Sequence, residues 1–222
     1  YWFTDTKFGG AYGFNTETGP GAQIPQLESL KKMIPQEQLW PRGEAWNYHC
    51  GRYEFADLSR FTKAMDEKYG TPKSLKEFDT KAQAMNYELM RPMFEAFQVN
   101  KKKSTGIIQW MLNAAWPKMY WQLYDYYLNP TAAFYATQKA CMPLSLIYNY
   151  GDKHIYAVND HLRTIEDLTA HIRVYSIESE ILLDEKVAFE MPSDSSKSIF
   201  ALGEISGLTP TYFVDLRLLD KK

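Results

Sequence analysis

The hydrophobic period changes near residue 142, and that change limits the fold more than any other feature. Upstream, Phe78, Ala82, Met85, Leu89, Met93 and Phe97 recur at helical spacing. Ser74 followed by Glu77 three residues later is a capping box, so this long helix begins at Ser74. Downstream of Pro143 the period is two. Leu168, Ala170, Ile172 and Val174 alternate with Thr169, His171, Arg173 and Tyr175. Tyr212, Val214, Leu216 and Leu218 alternate in the same way, and 144–150 and 154–159 read as strands around Gly151-Asp152. Short alternating strands with turns between them make a β-sandwich. The chain therefore divides into an α/β part, 1–142, and an all-β part, 143–222.

Within the first part, 8–16 reads as a strand, 24–34 as a helix stopped by Pro35, and 57–68 as a helix stopped by Gly70. The run 105–112 (Thr-Gly-Ile-Ile-Gln-Trp-Met-Leu) is nearly continuously apolar, as in a strand buried on both faces. A helix, a loop and such a strand make half of a βαβ unit. A further helix runs from Pro130 to about Met142. Between the helices, 36–56 shows no period and reads as a long loop. No internal repeat is visible.

The formal charge of −2 gives no basic field for nucleic acid, and Lys101-Lys102-Lys103 reads as a solvated helix end. No apolar run reaches membrane-spanning length. The two cysteines, Cys50 and Cys141, give neither a disulfide framework nor a metal spacing, and two buried thiols are expected. The first residues, Tyr-Trp-Phe-Thr-Asp-Thr, lack the basic and apolar segments of a leader, so an internal piece of a longer chain is expected. Aromatic residues are 15% of the chain, a supply of flat apolar faces.

One carboxylate stands apart. Glu17 closes Gly13-Phe14-Asn15-Thr16-Glu17 just before the turn Gly19-Pro20-Gly21, at a strand's end. Two other groups could share its site: the loop with Trp40, Trp46 and His49, and the strand end with Trp110, Asn113 and Trp116. If 8–16 and 105–112 are parallel neighbours, their C-terminal ends lie together, where barrels of alternating strands and helices place their chemistry. A carboxylate among aromatics suits a sugar, and a retaining glycosidase needs two carboxyl groups about 5–5.5 Å apart. The residues alone name no second carboxylate. Glu44, Glu54 and Asp57 lack a strand-end context, and Asp125 reads as a loop hydrogen-bonding group.

Gly13-Phe14-Asn15-Thr16-Glu17, the Trp46-x-x-His49 pair and Thr105-Gly-Ile-Ile-Gln-Trp-Met-Leu-Asn-x-x-Trp116 together resemble glycoside hydrolase family 2. The likeness is greatest to its exo-β-D-glucosaminidase branch, with the β-mannosidases next. Trp121-Gln122-Leu123-Tyr124-Asp125 and the run beyond Pro143 extend it over essentially the whole chain. The resemblance implies the C-terminal portion of a (β/α)8 barrel followed by an immunoglobulin-like sandwich that lacks its last strand. It implies Glu17 as catalytic nucleophile, with Asn15, Trp46, His49, Trp110, Asn113 and Trp116 around the sugar, and no metal or cofactor. It further implies removal of β-linked glucosamine from non-reducing ends with retention, and a periplasmic or secreted parent enzyme. The acid/base would lie on a barrel strand outside this chain, so the remaining N-terminal domains become partners and the chain alone is expected to be inactive. A β-mannosidase or β-galactosidase-type relative, or a non-catalytic carbohydrate-binding module, is the alternative reading.

Overall fold

The computed structural model describes residues 1–5 and 10–220. The chain forms two compact units, and three elements contribute residues to both.

The first unit along the chain's helical half holds Asn15–Phe94 and Ile107–Ala140. Strand β1 (Gly13–Thr18) leads into it; the first two residues of the expected strand 8–16 lie outside the described residues. Helix α1 (Leu27–Met33) ends as Pro35 requires, its last N–H bond running from Ile34 to Leu30. Helix α2 (Glu44–Tyr48) interrupts the stretch expected to be loop, and turns of 3-10 helix at Gln36–Gln38 and Tyr53–Phe55 flank it. Five residues are too few to show a period, so the helix was invisible in sequence.

Helix α3 (Ser59–Tyr69) buries Phe61 and Met65 and stops at Gly70, whose φ of 76° suits a residue without a Cβ. Helix α4 (Leu75–Val99) begins at the expected cap: Ser74 Oγ accepts from Glu77 N at 3.2 Å. The return arm differs from a standard capping box, because Glu77 Oε2 accepts from Lys73 N at 2.9 Å, one residue earlier. Phe78, Ala82 and Met85 point from α4 into a core shared with Ile24, Leu30, Trp46 and Met65.

Strand β2 (Ser104–Gln109) pairs with β1. Gly13 N donates to Lys103 O at their starts and Trp110 N donates to Thr18 O at their ends, so the two strands are parallel. The expectation that β2 is buried on both faces fails. Ile108 is 51% exposed and Leu112 62%, because among the described residues β2 has one strand neighbour and no second apolar layer. Helix α5 (Ala132–Ala140) packs through Ala133, Ala136 and Ala140.

The other unit comprises Tyr1–Phe14, Glu95–Gly106 and Cys141–Lys222. Among the described residues its sandwich has six strands: β3 (Leu144–Asn149), β4 (His154–Asn159), β5 (Ile165–Tyr175), β6 (Ile181–Met191), β7 (Ser195–Ala201) and β8 (Phe213–Leu219). They form two antiparallel sheets, ordered β3-β4-β7 and β6-β5-β8. The alternation read in β5 is the inner face: Leu168, Ala170, Ile172 and Val174 are buried against Leu146, Tyr148, Ile155 and Ala157. Its outer residues find polar partners instead, with His171 Nε2 at 2.6 Å from Asp184 and Arg173 donating to Asp215 at 2.7 Å. Lys101 is no solvated helix end, because it pairs with Asp160 and Asp194. Neither cysteine is bridged; Cys50 is buried as expected, but Cys141 is exposed. No helix among the described residues is long and apolar enough to cross a membrane.

Candidate active site

Glu17 is exposed, the penultimate residue of β1. Its own N–H is taken by Asn15 Oδ1 at 3.2 Å, an i to i−2 contact that shapes the strand end from which the carboxylate projects. Asn15 thus supports the backbone at Glu17.

The turn after Glu17 has to be small. A Cβ on Gly19 would lie 2.8 Å from the carbonyl oxygen of Trp110, and Gly21 has φ 98°. Beyond the turn, Gln23 N donates to Met119 O at 2.8 Å and Trp121 N donates to Gly21 O at 2.9 Å. Asn86, fully buried on α4, then holds Ile24 by both main-chain groups: its Oδ1 accepts from Ile24 N at 3.2 Å and its Nδ2 donates to Ile24 O at 2.9 Å. The Gly19-Pro20-Gly21 turn is therefore tied on one side to the Trp110 strand end and on the other to the aromatic loop 113–124.

Trp110 stands at the same end of the β1–β2 ribbon as Glu17, with Thr18 O accepting its N–H at 2.7 Å. Trp110 is 48% exposed, and the Trp110–Met111 peptide is cis. Gln109 Nε2 donates to Trp110 O at 2.8 Å and to Trp121 O at 3.2 Å, which binds the strand end to the loop. Asn113 is exposed and bridges in parallel to Tyr124. Trp116 is 40% exposed on the same loop.

Two of the expected sugar contacts sit elsewhere. Trp46 is 1% exposed; its indole N–H donates to Gln38 O at 3.2 Å and its ring meets Phe78 edge-on at 5.4 Å. It is a core residue, because α2 turns its apolar side inward, and it offers no face to a ligand. His49 is 9% exposed, and both ring nitrogens are occupied: Nδ1 lies 2.8 Å from Pro117 O and Nε2 2.8 Å from Met33 O. A neutral ring donates from one nitrogen only, so both contacts are hydrogen bonds at once only in the doubly protonated ring. Either way no nitrogen is left for a sugar hydroxyl. His49 instead stacks on Trp116, with centroids 5.7 Å apart and planes 27° apart.

The sequence reading missed Tyr48 and Lys118. Tyr48 is 73% exposed and meets Trp116 at a right angle. Lys118 holds its ammonium 5.0 Å over the Trp121 ring and 3.3 Å from Met111 Sδ, and burial lowers its pKa. Asp125 behaves as expected: its Oδ1 accepts from Tyr127 N at 2.8 Å and from Asn129 N at 3.0 Å. Among the described residues no group of three His, Cys, Asp or Glu could hold a metal ion.

Residues 151–222 match the family described as Mannosidase Ig/CBM-like domain. An exo-β-D-glucosaminidase of Arthroderma benhamiae is 40% identical over 169 residues, which is 72% of this chain and 19% of that protein. The exo-β-D-glucosaminidase of Amycolatopsis orientalis is 32% identical across 99% of this chain and 22% of its own length. The solved exo-chitosanase CsxA of Amycolatopsis orientalis superposes with a TM-score of 0.93 at 30% identity, over 99% of this chain and 27% of that one. A further CsxA structure is a complex with PNP-β-D-glucosamine. A β-D-mannosidase from Dictyoglomus thermophilum shares the fold, with a TM-score of 0.77 at 20% identity over 93% of this chain and 25% of its own. The chain belongs with the glycoside hydrolases of family 2. Within them it is homologous to one segment of the exo-β-D-glucosaminidases, with the β-mannosidases a second related branch. It spans about a quarter of the length of such relatives.

Proposed function

We propose that this chain is the nucleophile-bearing part of a retaining exo-β-glycosidase that removes β-linked glucosamine from the non-reducing end of chitosan oligosaccharides. The observation that carries the reading is the position of Glu17. It is an exposed carboxylate at the end of β1, beside the end of a parallel strand that carries Trp110. On this reading β1 and β2 are neighbouring strands of a (β/α)8 barrel, and the half-exposed apolar residues of β2 face the barrel strands that other segments of the longer protein supply. The enzyme acts outside the cytoplasm, where such polysaccharides are met.

In the first step a carboxylate oxygen of Glu17 attacks the anomeric carbon and the glycosidic bond breaks. A general acid outside this chain gives its proton to the leaving oxygen, and a glycosyl ester on Glu17 remains. Water, deprotonated by the same group, then cleaves the ester, and two inversions give net retention. Trp110 supplies an apolar wall for the sugar, and Asn113 supplies amide hydrogen bonds to its hydroxyls. The general acid alone contributes about 10²–10⁴-fold, so the 222-residue chain by itself hydrolyses little or nothing.

The test is hydrolysis of p-nitrophenyl β-D-glucosaminide by the longer protein that contains this chain, wild type against Glu17→Gln. The expected loss is about 10⁴-fold in kcat. Undiminished turnover in the variant would remove Glu17 from the mechanism. A lily endo-β-mannosidase is 26% identical over 94% of this chain, so the corresponding mannoside is assayed beside it. Faster turnover of the mannoside would move the substrate to that branch and leave Glu17 in place.

A further inference from the structure

Between the starts of α1 and α5 and one face of α4 lies a cavity of about 410 Å³. That volume is within the range of small-molecule sites, about 300–1,000 Å³. Gln26 and Glu28 line it from the start of α1, Asp79 and Gln83 from α4, and Tyr135 from α5. None of its walls belongs to β1, β2 or the loop 113–124, so it is separate from the Glu17 strand end.

Amide side chains fix the frame. Gln83 Oε1 accepts from Ala132 N at 3.1 Å, and its Nε2 donates to Ile24 O at 3.0 Å. Gln26 Nε2 donates to Pro130 O, just ahead of α5. The three helices are thereby joined through backbone groups, and the walls stand without a ligand. Within this frame two carboxylates share one cavity. Glu28 pairs with Lys31 at 2.8 Å on the exposed surface. Asp79 is half-buried, and among the described residues it has no cationic partner; it accepts from Gln83 Nε2 at 3.4 Å and from the Leu27 N–H. Burial raises its pKa and the Glu28 charge adds to the rise, while those two hydrogen bonds oppose it. A positive charge placed between Asp79 and Glu28 would relieve their repulsion. The rest of the wall is apolar: Leu27, Ala132 and the ring of Tyr135, a residue 49% exposed.

We infer that this cavity is a second binding site, for one protonated amino-sugar unit of a β-linked glucosamine oligosaccharide. The choice of sugar rests on the glucosamine reading of the preceding subsection, and the choice of a cation rests on the cavity. The ammonium, with three donors, lies between Asp79 and Glu28. The C–H face of the pyranose lies on Tyr135. An N-acetylated sugar brings an uncharged amide to the same place and leaves the carboxylate pair uncompensated. A longer substrate held here by one unit raises the local concentration of its remaining units at the reacting site.

The site is tested by calorimetric titration of the 222-residue chain with the β-1,4-linked glucosamine disaccharide and with its di-N-acetylated form. The acetylated sugar should bind at least about tenfold more weakly, the worth of a hydrogen bond to a charged group. Asp79→Asn should weaken binding of the free amine by a similar factor, about tenfold. Tyr135→Ala should weaken it about 2–10-fold, and Glu28→Gln about 2–5-fold. Glu28 and Tyr135 are exposed, so E28Q and Y135A keep the fold even if D79N loosens the start of α1. Equal binding of the acetylated sugar, unchanged binding in D79N or Y135A, or no binding by wild type would each overturn the site. None of these would touch the Glu17 reading, which hydrolysis by the longer protein judges separately.

Discussion

The sandwich and the β1–β2 ribbon close in opposite ways. In the sandwich, every inward residue of β5 from Leu168 to Val174 is buried, because a second sheet lies opposite. In the ribbon, Phe14, Ile108 and Trp110 are each about half exposed. Both regions carry apolar strand residues, yet among the described residues only the sandwich buries them fully. On the proposed function the difference is that between a sheet pair closed within the chain and strands covered by other segments of a longer protein, since unpaired apolar strands are ordinarily covered or avoided.

Substitutions can break that comparison, and the largest effect should come from the helical unit's own core. Trp46→Ala removes a fully buried indole and leaves Gln38 O without its donor, and should cost about 3–5 kcal/mol in urea unfolding. Little change would mean that Trp46 is not the core residue described above. In the sandwich, Ile172→Ala should cost about 2–5 kcal/mol. Ile108→Ala, half exposed on the ribbon, should stay within about 0.5 kcal/mol in this chain. In the longer protein the ribbon substitution should become costly as well. Equal costs for Ile172→Ala and Ile108→Ala in the short chain would erase the contrast. The helix cap falls between these two: Ser74→Ala should cost about 1 kcal/mol, read as a shift in the urea midpoint.

The parts of the fold that were legible in sequence were those whose signal is local. β5 carries four consecutive inward positions, and α4 carries both its cap and its stripe. β6 and β7 were not legible. The centre of β6 is Asp184-Glu185-Lys186, and β7 opens Ser195-Ser196-Lys197-Ser198. They are strands because β5 and β4 supply hydrogen-bonding partners. Glu185 lies opposite Ile172 and Lys197 opposite Ala157, so each outer strand sets a charge level with a buried residue. Charges in such places deter edge-to-edge association, and the same charges hide the strand from a period count.

The site divides in the same way. The strand-end position of Glu17 was legible because the Gly19-Pro20-Gly21 turn marks where β1 stops. The roles of Trp46 and His49 were not, because residue type cannot say which aromatic of a short helix faces the core. Trp46, His49 and Tyr48 lie within four residues; the first is core, the second a clamp and the third solvated. Only the direction of α2 separates them, and that direction is set by Phe78 and Met65, far along the chain.

The central claim is that Glu17 is the nucleophile of a double-displacement glycosidase. Its most direct test is covalent trapping. The longer protein would be incubated with a 5-fluoro-β-D-glucosaminyl fluoride, in which fluoride leaves and the ring fluorine slows hydrolysis of the ester. Peptide mass spectrometry should then find one fluoroglycosyl unit on the peptide containing Glu17, and none on the Glu17→Gln protein. A label on a different carboxylate, with Glu17 unmodified, would contradict the account.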